Sequence, residues 1–262
     1  MHNKSTLVSI ITPCLNSAEF IERTINSVLN QSYKNIEYII IDGGSVDGTV
    51  DIIKKYEDKL SYWLSEPDGG MYCAINKGMR IAKGEIVGYL NSDDVYYPDT
   101  LKKVISFFCE KKEIDLVYGK LNFIDINDSI IFTMTYPSFN LKSFSSLNYS
   151  TIGQPSSFWR RDLMINVNYF NENFKLAADF DFFIKSGKVG KFHFLPEKLA
   201  GFRIHRSQLT EKHKFISRNE VAIIHKNYRS NRYTFPRNFL YSFYFKLINI
   251  KAIIIKLFPK KV

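Results

Sequence analysis

Residues 36–49 read Ile36-Glu-Tyr-Ile-Ile-Ile-Asp-Gly-Gly-Ser-Val-Asp-Gly-Thr49. The run up to residue 41 is almost wholly apolar, which is typical of a strand that is buried on both faces of a parallel sheet. The Asp-Gly-Gly and Asp-Gly-Thr segments that follow are common turn formers. The stretch therefore predicts a buried strand that carries Asp42 and a glycine-rich loop at its carboxyl end.

Strands and helices alternate on both sides of this stretch. Short apolar runs predict strands, and helically spaced apolar residues predict helices, at residues 7–13 (strand), 18–31 (helix), 50–56 (helix), 60–64 (strand), 71–82 (helix) and 85–90 (strand). Such alternation favours an α/β fold, with a Rossmann-like, mostly parallel sheet flanked by helices. A helix at 101–111 and a strand at 116–119 continue the pattern, which then becomes more mixed.

Length and composition bound the class of protein. The chain has 262 residues, of which 45% are apolar, so it can form one large α/β domain with an appendage and is not a disordered protein. Cys14, Cys73 and Cys109 form no C-x-x-C pair, which argues against a disulfide framework or a zinc knuckle and favours a reducing compartment. Since we find neither a secretory signal nor an uninterrupted apolar run of spanning length, we expect a cytoplasmic protein.

The charge is unevenly distributed along the chain. The formal net charge is +10, with −5 on residues 1–135 and +15 on residues 136–262. Residues 226–262 contain aromatic and basic residues but no acid, and they predict a basic, amphipathic helical tail. Such a tail can cover the domain with its lysines in solvent, or it can attach to an anionic membrane surface. Nucleic-acid binding has only the charge in its favour, because we find no nucleic-acid-binding motif.

Carboxylates follow three of the predicted strands. Asp42, Asp68 and the pair Asp93-Asp94 come at or just after strand ends, which places them on one rim of a parallel sheet. An adjacent Asp pair can bind a divalent cation, or it can cap a helix or line a solvated turn. The glycine-rich loop matches neither a phosphate loop nor a dinucleotide motif. A strand-end carboxylate can instead bind a base or a ribose hydroxyl, which indicates a nucleotide pocket without a phosphate loop.

Several segments in register resemble one known family. They lie at residues 8–16, 25–33, 37–49, 76–78, 82–85 and 90–94. Together they resemble the family 2 nucleotide-sugar glycosyltransferases of GT-A fold over roughly residues 7–210. The resemblance implies a catalytic domain at residues 1–225, with a nucleotide-sugar half at about 1–100 and an acceptor half at about 101–225, followed by the tail at 226–262.

The resemblance also implies roles for individual residues. Asp93 corresponds to the metal-binding acid of the family's D-x-D element, Asp179 to the catalytic base, and Asp42 to the acid that contacts the nucleotide base. The implied nucleotide-sugar contacts are Thr12, Pro13, Asn16, Asp42, Gly43, Asp68, Asn76, Ser92, Asp93 and Arg206. The implied ligands of Mg²⁺ or Mn²⁺ are Asp93, Asp94 and His205.

Three positions depart from the family pattern. Asn91 replaces the first acid of D-x-D, Ala178 replaces the Glu of a Glu-Asp pair, and Cys73 stands where related sequences often carry Asp. Asn91 and Ala178 keep an alternative open, namely a catalytically silent nucleotide-sugar-binding protein.

The activity that the resemblance implies is hexosyl transfer from a nucleoside diphosphate sugar, with uridine diphosphate as the expected nucleotide. One base, without a second carboxylic acid at the leaving group, favours single displacement with inversion. The implied acceptor is a saccharide or lipid-linked saccharide in the synthesis of a surface polysaccharide such as O-antigen, capsule or exopolysaccharide. Such an acceptor favours peripheral attachment of the tail to the inner face of the cell membrane.

Asp179 and Asp181 compete for the role of the base. At a helix start, side chains two residues apart diverge by about 200°, so only one of them can face an acceptor. Register with the family's Glu-Asp pair selects Asp179 and leaves Asp181 as the expected cap of a helix over residues 182–185.

Overall fold

Strands and helices alternate through the first ninety residues. A computed structural model describes residues 5–209, 213–228, 235–250, 252 and 254. The chain begins with β1 (Val8–Cys14), α1 (Ile21–Leu29), β2 (Ile36–Asp42), α2 (Thr49–Lys54), β3 (Tyr62–Ser65), α3 (Met71–Ile81) and β4 (Ile86–Tyr89). Each predicted strand and helix is therefore present, with its ends shifted by at most a few residues, as is usual for helix and strand boundaries.

The second part of the chain mixes short and long elements. It contains β5 (Val95–Tyr96), α4 (Thr100–Glu110), β6 (Leu116–Ile124), β7 (Ile130–Met134), α5 (Leu141–Phe144), β8 (Ser157–Arg160), α6 (Arg161–Asn166), α7 (Ala178–Val189) and β9 (Phe192–Arg203). Two further helices follow, α8 (Lys214–Asn227) and α9 (Phe235–Ile248). α9 lies within residues 226–262, where the sequence predicts a helical tail.

One sheet connects the two parts. Among the described residues its strand order is β3-β2-β1-β4-β8-β6-β9-β5, and β7 pairs with β6 outside this order. β3, β2, β1 and β4 are all parallel. β6 and β9 are parallel to each other, whereas β8 is antiparallel to both of its neighbours and β5 is antiparallel to β9. The predicted α/β class is confirmed, and the antiparallel pairings involve strands from the region where the sequence pattern was mixed.

β1 is the buried centre of the parallel part. All seven of its residues are buried, because β2 and β4 flank it and helices cover the sheet. α1 turns Ile21, Ile25 and Val28 inward at helical spacing. Each such side chain contributes about 1.5–3 kcal/mol relative to an exposed position. The rigid centre fixes the strand ends from which the site is built.

The described part of the tail packs on the domain. Phe245 on α9 is buried and lies between the rings of Tyr136 and Tyr149, with centroid distances of 6.1 and 5.6 Å. The Asn249 amide exchanges two hydrogen bonds of 2.7 Å with the backbone N–H and carbonyl of Thr135. Tail residues 229–234 and 255–262 lie outside the described residues. Within the described chain, every helix is too short or too polar to cross a bilayer.

Gly84 lies where the chain enters β4 and contacts the backbone of β1. A Cβ at this position would lie 2.5 Å from the Ser9 nitrogen and 2.9 Å from the Ile86 carbonyl oxygen. Backbone atoms in a packed sheet cannot move aside, so we expect Gly84→Ala to cost about 1–3 kcal/mol of unfolding free energy. Thermal unfolding followed by circular dichroism will measure the loss. Lys83→Ala changes an exposed neighbour and is the matched control, and an unchanged Tm for Gly84→Ala would contradict this contact.

Candidate active site

The carboxyl ends of β1, β2 and β3 lie side by side. The strand register pairs Cys14 with Asp42, and Asp42 with Ser65. The loops that leave these strands therefore emerge together at one rim of the sheet, where ligands of α/β proteins bind.

Asp42 holds the loop that follows β2. Its buried carboxylate accepts hydrogen bonds from the N–H groups of Gly44 (3.1 Å) and Ser45 (2.8 Å) and from the hydroxyls of Ser45 and Ser65. Burial raises the pKa of this carboxyl, but the hydrogen bonds from Ser45 and Ser65 outweigh that effect and lower it. The Asp42 oxygens are thus bound by their own loop and by Ser65. This arrangement does not favour the direct contact with a nucleotide base that the resemblance implies. Asp42 would instead affect a bound base through the shape of the loop.

Asp68 is the partly exposed carboxylate next to this loop. A Cβ on Gly43 would lie 3.3 Å from both Asp68 oxygens, so the carboxylate stands directly over Gly43. Its Oδ1 also accepts a 2.7 Å hydrogen bond from the N–H of Gly70. The two predicted contact residues Gly43 and Asp68 are therefore neighbours, with one carboxylate partly open to solvent.

Asn16 ties the loop after β1 to the loop after β2. Its φ of 49° lies in the left-handed region, which Asn tolerates better than most residues. Its backbone N–H donates to the Ser45 hydroxyl at 2.7 Å, and its side-chain oxygen accepts from the Val46 N–H at 3.0 Å. Asn16 is exposed and lies at the rim, and its nucleotide-sugar contact stays a prediction.

Other predicted contact residues have buried side chains: Thr12, Pro13, Asn76 and Ser92. The Thr12 hydroxyl bonds the Tyr38 hydroxyl at 3.0 Å, and the Ser92 hydroxyl bonds that of Ser17 at 2.7 Å. The Asn76 amide bonds the backbone N–H and carbonyl of Phe170 at 3.0 and 2.9 Å. Their burial indicates that the four residues support the loops of the site and do not line its surface.

Asp93 and His205 meet although they are 112 residues apart in the chain. Asp93 follows β4, and His205 follows β9. The Asp93 Oδ2 and His205 Nε2 atoms are 2.9 Å apart, and His205 Nδ1 lies 2.7 Å from the Ser207 hydroxyl. The His205 ring also packs on Phe20, with centroids 4.7 Å apart. Both side chains remain partly exposed, at 26% for Asp93 and 11% for His205.

Arg203 positions this pair. It is fully buried, and its Nε donates to the Asp93 carbonyl at 2.8 Å while its backbone N–H donates to Asp94 Oδ1 at 3.0 Å. The guanidinium also lies over the Phe20 ring, 5.0 Å from its centroid. One side chain therefore connects the end of β9 to the segment that carries Asp93.

Asp94 and Arg206 differ in exposure. Asp94 is fully buried, and burial together with the charge of Asp93 raises the pKa of its carboxyl well above the ordinary range. Its buried carboxylate is directed at Arg203, so the predicted role of Asp94 as a metal ligand does not fit its position. Arg206 is exposed and lies in the turn after His205.

The Asp93–His205 pair fits a divalent cation that has few protein ligands. A carboxylate oxygen and an imidazole nitrogen that meet at 2.9 Å are two donors that would hold such an ion between them. The Ser207 hydroxyl can accept the Nδ1 proton of His205, which leaves the Nε2 lone pair for a metal. Within the described part of the chain we find no group of three or more His, Cys, Asp or Glu side chains that could hold an ion. Donor oxygens and water would have to complete the coordination shell.

Asp179 lies in the first turn of α7. Its Oδ1 accepts a 2.8 Å hydrogen bond from the Phe180 N–H and lies 3.4 Å from the Tyr72 hydroxyl. Burial raises the pKa of its carboxyl to about 6, although these hydrogen bonds lower it. The Tyr72 ring stacks on Phe170, and Phe170 packs against Tyr89 at the end of β4, so these contacts connect Asp179 to the end of β4.

Asp181 does not cap a helix, contrary to the prediction. α7 begins at Ala178, and Ala177 occupies the N-cap position. Asp181 is buried within the helix, where it accepts a 2.7 Å hydrogen bond from the Tyr228 hydroxyl and pairs with Lys185 at 3.2 Å. The capping prediction failed because the helix extends four residues further toward the N-terminus than the sequence pattern indicated.

The sequence reasoning missed three residues that organise the site: Arg203, Tyr72 and Glu220. Arg203 lies two residues before His205, and its nearness in the sequence to a candidate ligand was a usable signal. Tyr72 and Glu220 offered no comparable signal, since their contacts with the Asp179 region join distant parts of the chain.

The sequence profile described as "Glycosyl transferase family 2" matches residues 9–195. The chain belongs to this family. The match covers β1 through the middle of β9, and the GT-A resemblance seen in the sequence is thereby confirmed.

Known relatives of this family 2 glycosyltransferase include proteins of very different length. An uncharacterized glycosyltransferase of Rickettsia typhi is 33% identical over 213 residues, which are 79% of this chain and 66% of the relative. The hyaluronan synthase of Pasteurella multocida is 32% identical over 196 residues, which are 74% of this chain and 20% of the synthase. The chain thus spans about two thirds of the one relative and a fifth of the other.

Solved structures share the fold. Staphylococcus aureus TarS 1–349 in complex with UDP-GlcNAc has a TM-score of 0.64 and 24% identity, over 77% of this chain and 60% of TarS. A mannosyltransferase of Pyrobaculum calidifontis in complex with GDP-Man and Mn²⁺ has a TM-score of 0.66 and 18% identity, over 95% and 76% of the two chains. At these identities the likeness establishes the fold alone.

The raised pKa of Asp179 is testable without a substrate. We expect a carboxyl ¹³C NMR titration to give a pKa of about 6 for Asp179. In Tyr72→Phe the pKa should rise, because the Tyr72 hydroxyl donates to the ionised carboxylate and stabilises it. Lys185→Met leaves the Asp179 contacts in place and is the control. A wild-type pKa near 4 would contradict the conclusion that burial raises the pKa of Asp179.

Proposed function

We propose that this family 2 glycosyltransferase catalyses hexosyl transfer, with inversion, from a nucleoside diphosphate sugar to a hydroxyl of a saccharide or lipid-linked saccharide. The observation that carries the proposal is the pairing of Asp93 with His205 on the rim where β4 and β9 end. A partly exposed carboxylate–imidazole pair beside the loops of β1 and β2 would hold the cation that the diphosphate of a donor needs. Surface polysaccharide synthesis is the proposed setting, supported by the similarity to hyaluronan synthase.

Asp179 is the proposed base of the reaction. With a pKa of about 6 it is largely ionised at neutral pH and can still accept a proton effectively. The acceptor oxygen bonds to the anomeric carbon as the bond from that carbon to the diphosphate breaks, and the hydroxyl proton passes to an Asp179 oxygen. General-base assistance of this kind typically contributes about 10²–10⁴-fold to the rate. A single base favours one displacement and therefore inversion.

The leaving diphosphate needs positive charge. Arg206 is exposed in the turn after His205 and can provide a cation on that side. Asp93 and His205 would hold Mg²⁺ or Mn²⁺, which when bound neutralises charge on the diphosphate oxygens. The Mn²⁺ bound to the Pyrobaculum mannosyltransferase supports this assignment.

The proposed donor nucleotide is uridine diphosphate. The loop held by Asp42, together with Asp68 over Gly43, forms a compact polar edge next to β1, which suits a base and a ribose. The UDP-GlcNAc bound to TarS supports a uridine nucleotide, while the GDP-Man bound to the mannosyltransferase makes guanosine the competing choice.

Removal of Asp93 or of the metal should stop the reaction. With a panel of UDP- and GDP-sugars and Mn²⁺, we expect the wild-type protein to release nucleoside diphosphate from at least one donor, with water as the acceptor. Asp93→Asn should reduce this release by about 100-fold or more, the size of effect typical for loss of an electrostatic group at a leaving charge. Chelation should do the same, and Mn²⁺ or Mg²⁺ should restore release.

Asp162→Asn makes the same change at an exposed site on α6 and should leave release unchanged. Full activity in excess chelator would contradict the metal assignment. Donor binding by calorimetry without release from any donor would favour the alternative of a silent nucleotide-sugar-binding protein.

Attachment to a membrane is the second part of the proposal, and the outer face of α9 supports it. This face is the set of large apolar residues on α9 and just after it that are more than half exposed: Phe239, Leu240, Phe243, Tyr244, Leu247, Ile250 and Ile254. The spacing puts them on one side, opposite Phe245 and Asn249.

The charge of the segment also favours a lipid surface. The sequence contains no acid after Glu220 but nine Lys and Arg residues. An apolar face within a purely basic segment matches an anionic lipid surface. We propose that the protein is held by this face on the inner side of the cell membrane.

Substitution of the outer face should release the protein from lipid. We expect the wild type to sediment with vesicles of phosphatidylcholine and phosphatidylglycerol, and less with phosphatidylcholine alone. Phe243→Ser combined with Leu247→Ser should lose most of this binding, since the apolar contact area is removed. Ile130→Ser with Val189→Ser changes exposed apolar residues elsewhere and is the control. Unchanged sedimentation of the outer-face variant would contradict attachment to lipid through this face. A wild-type protein that is a dimer in solution, with a variant that is a monomer, would show that the face binds a second copy of the chain and would also contradict it.

A further inference from the structure

Glu220 on α8 binds the backbone just before α7. One carboxylate oxygen accepts a 2.7 Å hydrogen bond from the Lys175 N–H, and the other accepts 2.9 Å bonds from the N–H groups of Leu176 and Ala177. The Glu220 side chain is buried, with 7% of the residue exposed. A buried carboxylate is stable only when its oxygens are satisfied, and here three consecutive N–H groups satisfy them.

α7 lacks a side-chain cap of its own. Ala177 occupies the N-cap position and has no side chain that could accept a hydrogen bond. The first N–H groups of a helix need acceptors and carry partial positive charge, so a nearby carboxylate stabilises them. Glu220, which is 43 residues away from Ala177 in the chain, binds the N–H groups just before this helix and so places its negative charge at the N-terminal end of α7.

A second set of contacts keeps α8 along α7. The Tyr228 hydroxyl donates to Asp181 Oδ1 at 2.7 Å, and the Lys188 ammonium lies 4.2 Å from the centroid of the Tyr228 ring. Glu220 and Tyr228 are eight residues apart, so their directions differ by about 80° around the helix axis. α8 therefore contacts the α7 region both before its first residue and within the helix.

Asp179 lies two residues beyond the segment that Glu220 holds. The direction of its carboxylate follows the backbone of residues 175–177, because α7 begins directly after them. A catalytic group that is misplaced by about 1 Å can lose about 100-fold in rate. The negative charge of Glu220 also contributes to the raised pKa of Asp179.

We propose that Glu220 is a positioning residue for transfer: by binding the N–H groups of residues 175–177 it fixes the start of α7 and with it the Asp179 carboxylate. This role rests on the proposed function of Asp179 as the base. It gives α8 a part in positioning the base, because α8 carries Glu220.

Glu220→Gln tests the proposal with little change in size. A glutamine offers one acceptor oxygen where the carboxylate offers two, and it carries no charge. We expect hydrogen exchange of the amides of residues 175–177 to accelerate by about tenfold or more, and kcat for nucleoside diphosphate release to fall by about tenfold or more. Donor Kd measured by calorimetry should stay within about twofold, since the residues that hold the donor lie on other elements. Glu197→Gln, at an exposed pair with Lys103, is the matched control and should change none of these values.

Two results would overturn the positioning role. One is a kcat for Glu220→Gln within about twofold of the wild type; the other is a parallel loss of donor affinity and kcat, which would indicate general damage to the fold. Asp179→Asn, measured beside it, separates this proposal from the proposed function. Normal release by Asp179→Asn overturns the base assignment, whereas normal release by Glu220→Gln with an inactive Asp179→Asn overturns only the positioning role.

Discussion

The buried guanidinium of Arg203 makes the contacts on which the Asp93–His205 end of the site depends. A fully buried cation is costly unless its N–H groups are paired. Arg203 pairs with the carbonyls of Asp93 and Asp125 and with the Asp128 carboxylate, 2.6 Å away. The same residue ends β9, so these contacts fix the direction in which the chain continues to His205. The Asp93–His205 pair therefore results from the pairing requirements of one buried charge.

Carboxylates that bind backbone N–H groups recur around the site. Asp42 holds the loop after β2, Asp47 accepts from the N–H groups of Ala18 and Thr49, and Glu220 holds the segment before α7. Each gives a loop a defined shape without adding a ligand to the pocket, since a carboxylate that accepts several N–H bonds has few lone pairs left. Asp68, Asp93 and Asp179 keep part of their surface open and are the carboxylates available for chemistry.

The sequence predicted the parallel strands and the rim because both follow from local patterns. The apolar runs of β1 and β2 identify buried strands, and parallel strands must align their carboxyl ends. The resemblance to family motifs likewise implied that Asp93 and His205 hold the same ion, and the two side chains are in contact. Side-chain direction was less accessible, as Asp94 and Asn76 show: both match motif positions, but tertiary hydrogen bonds direct them inward. Glu220 was inaccessible, since no local pattern relates a residue on α8 to the start of α7.

The attachment of α8 and α9 to the domain changes what the tail can do. A tail on a hinge would only tether the domain near a surface, and its removal would leave the site untouched. Here α8 holds the segment before α7 through Glu220, and α9 is fixed through Asn249 and Thr135 by two directional hydrogen bonds. The outer face of α9 therefore has a defined direction relative to the sheet. A surface bound to that face would orient the domain as well as retain it, and so would determine from which side an acceptor can approach Asp179.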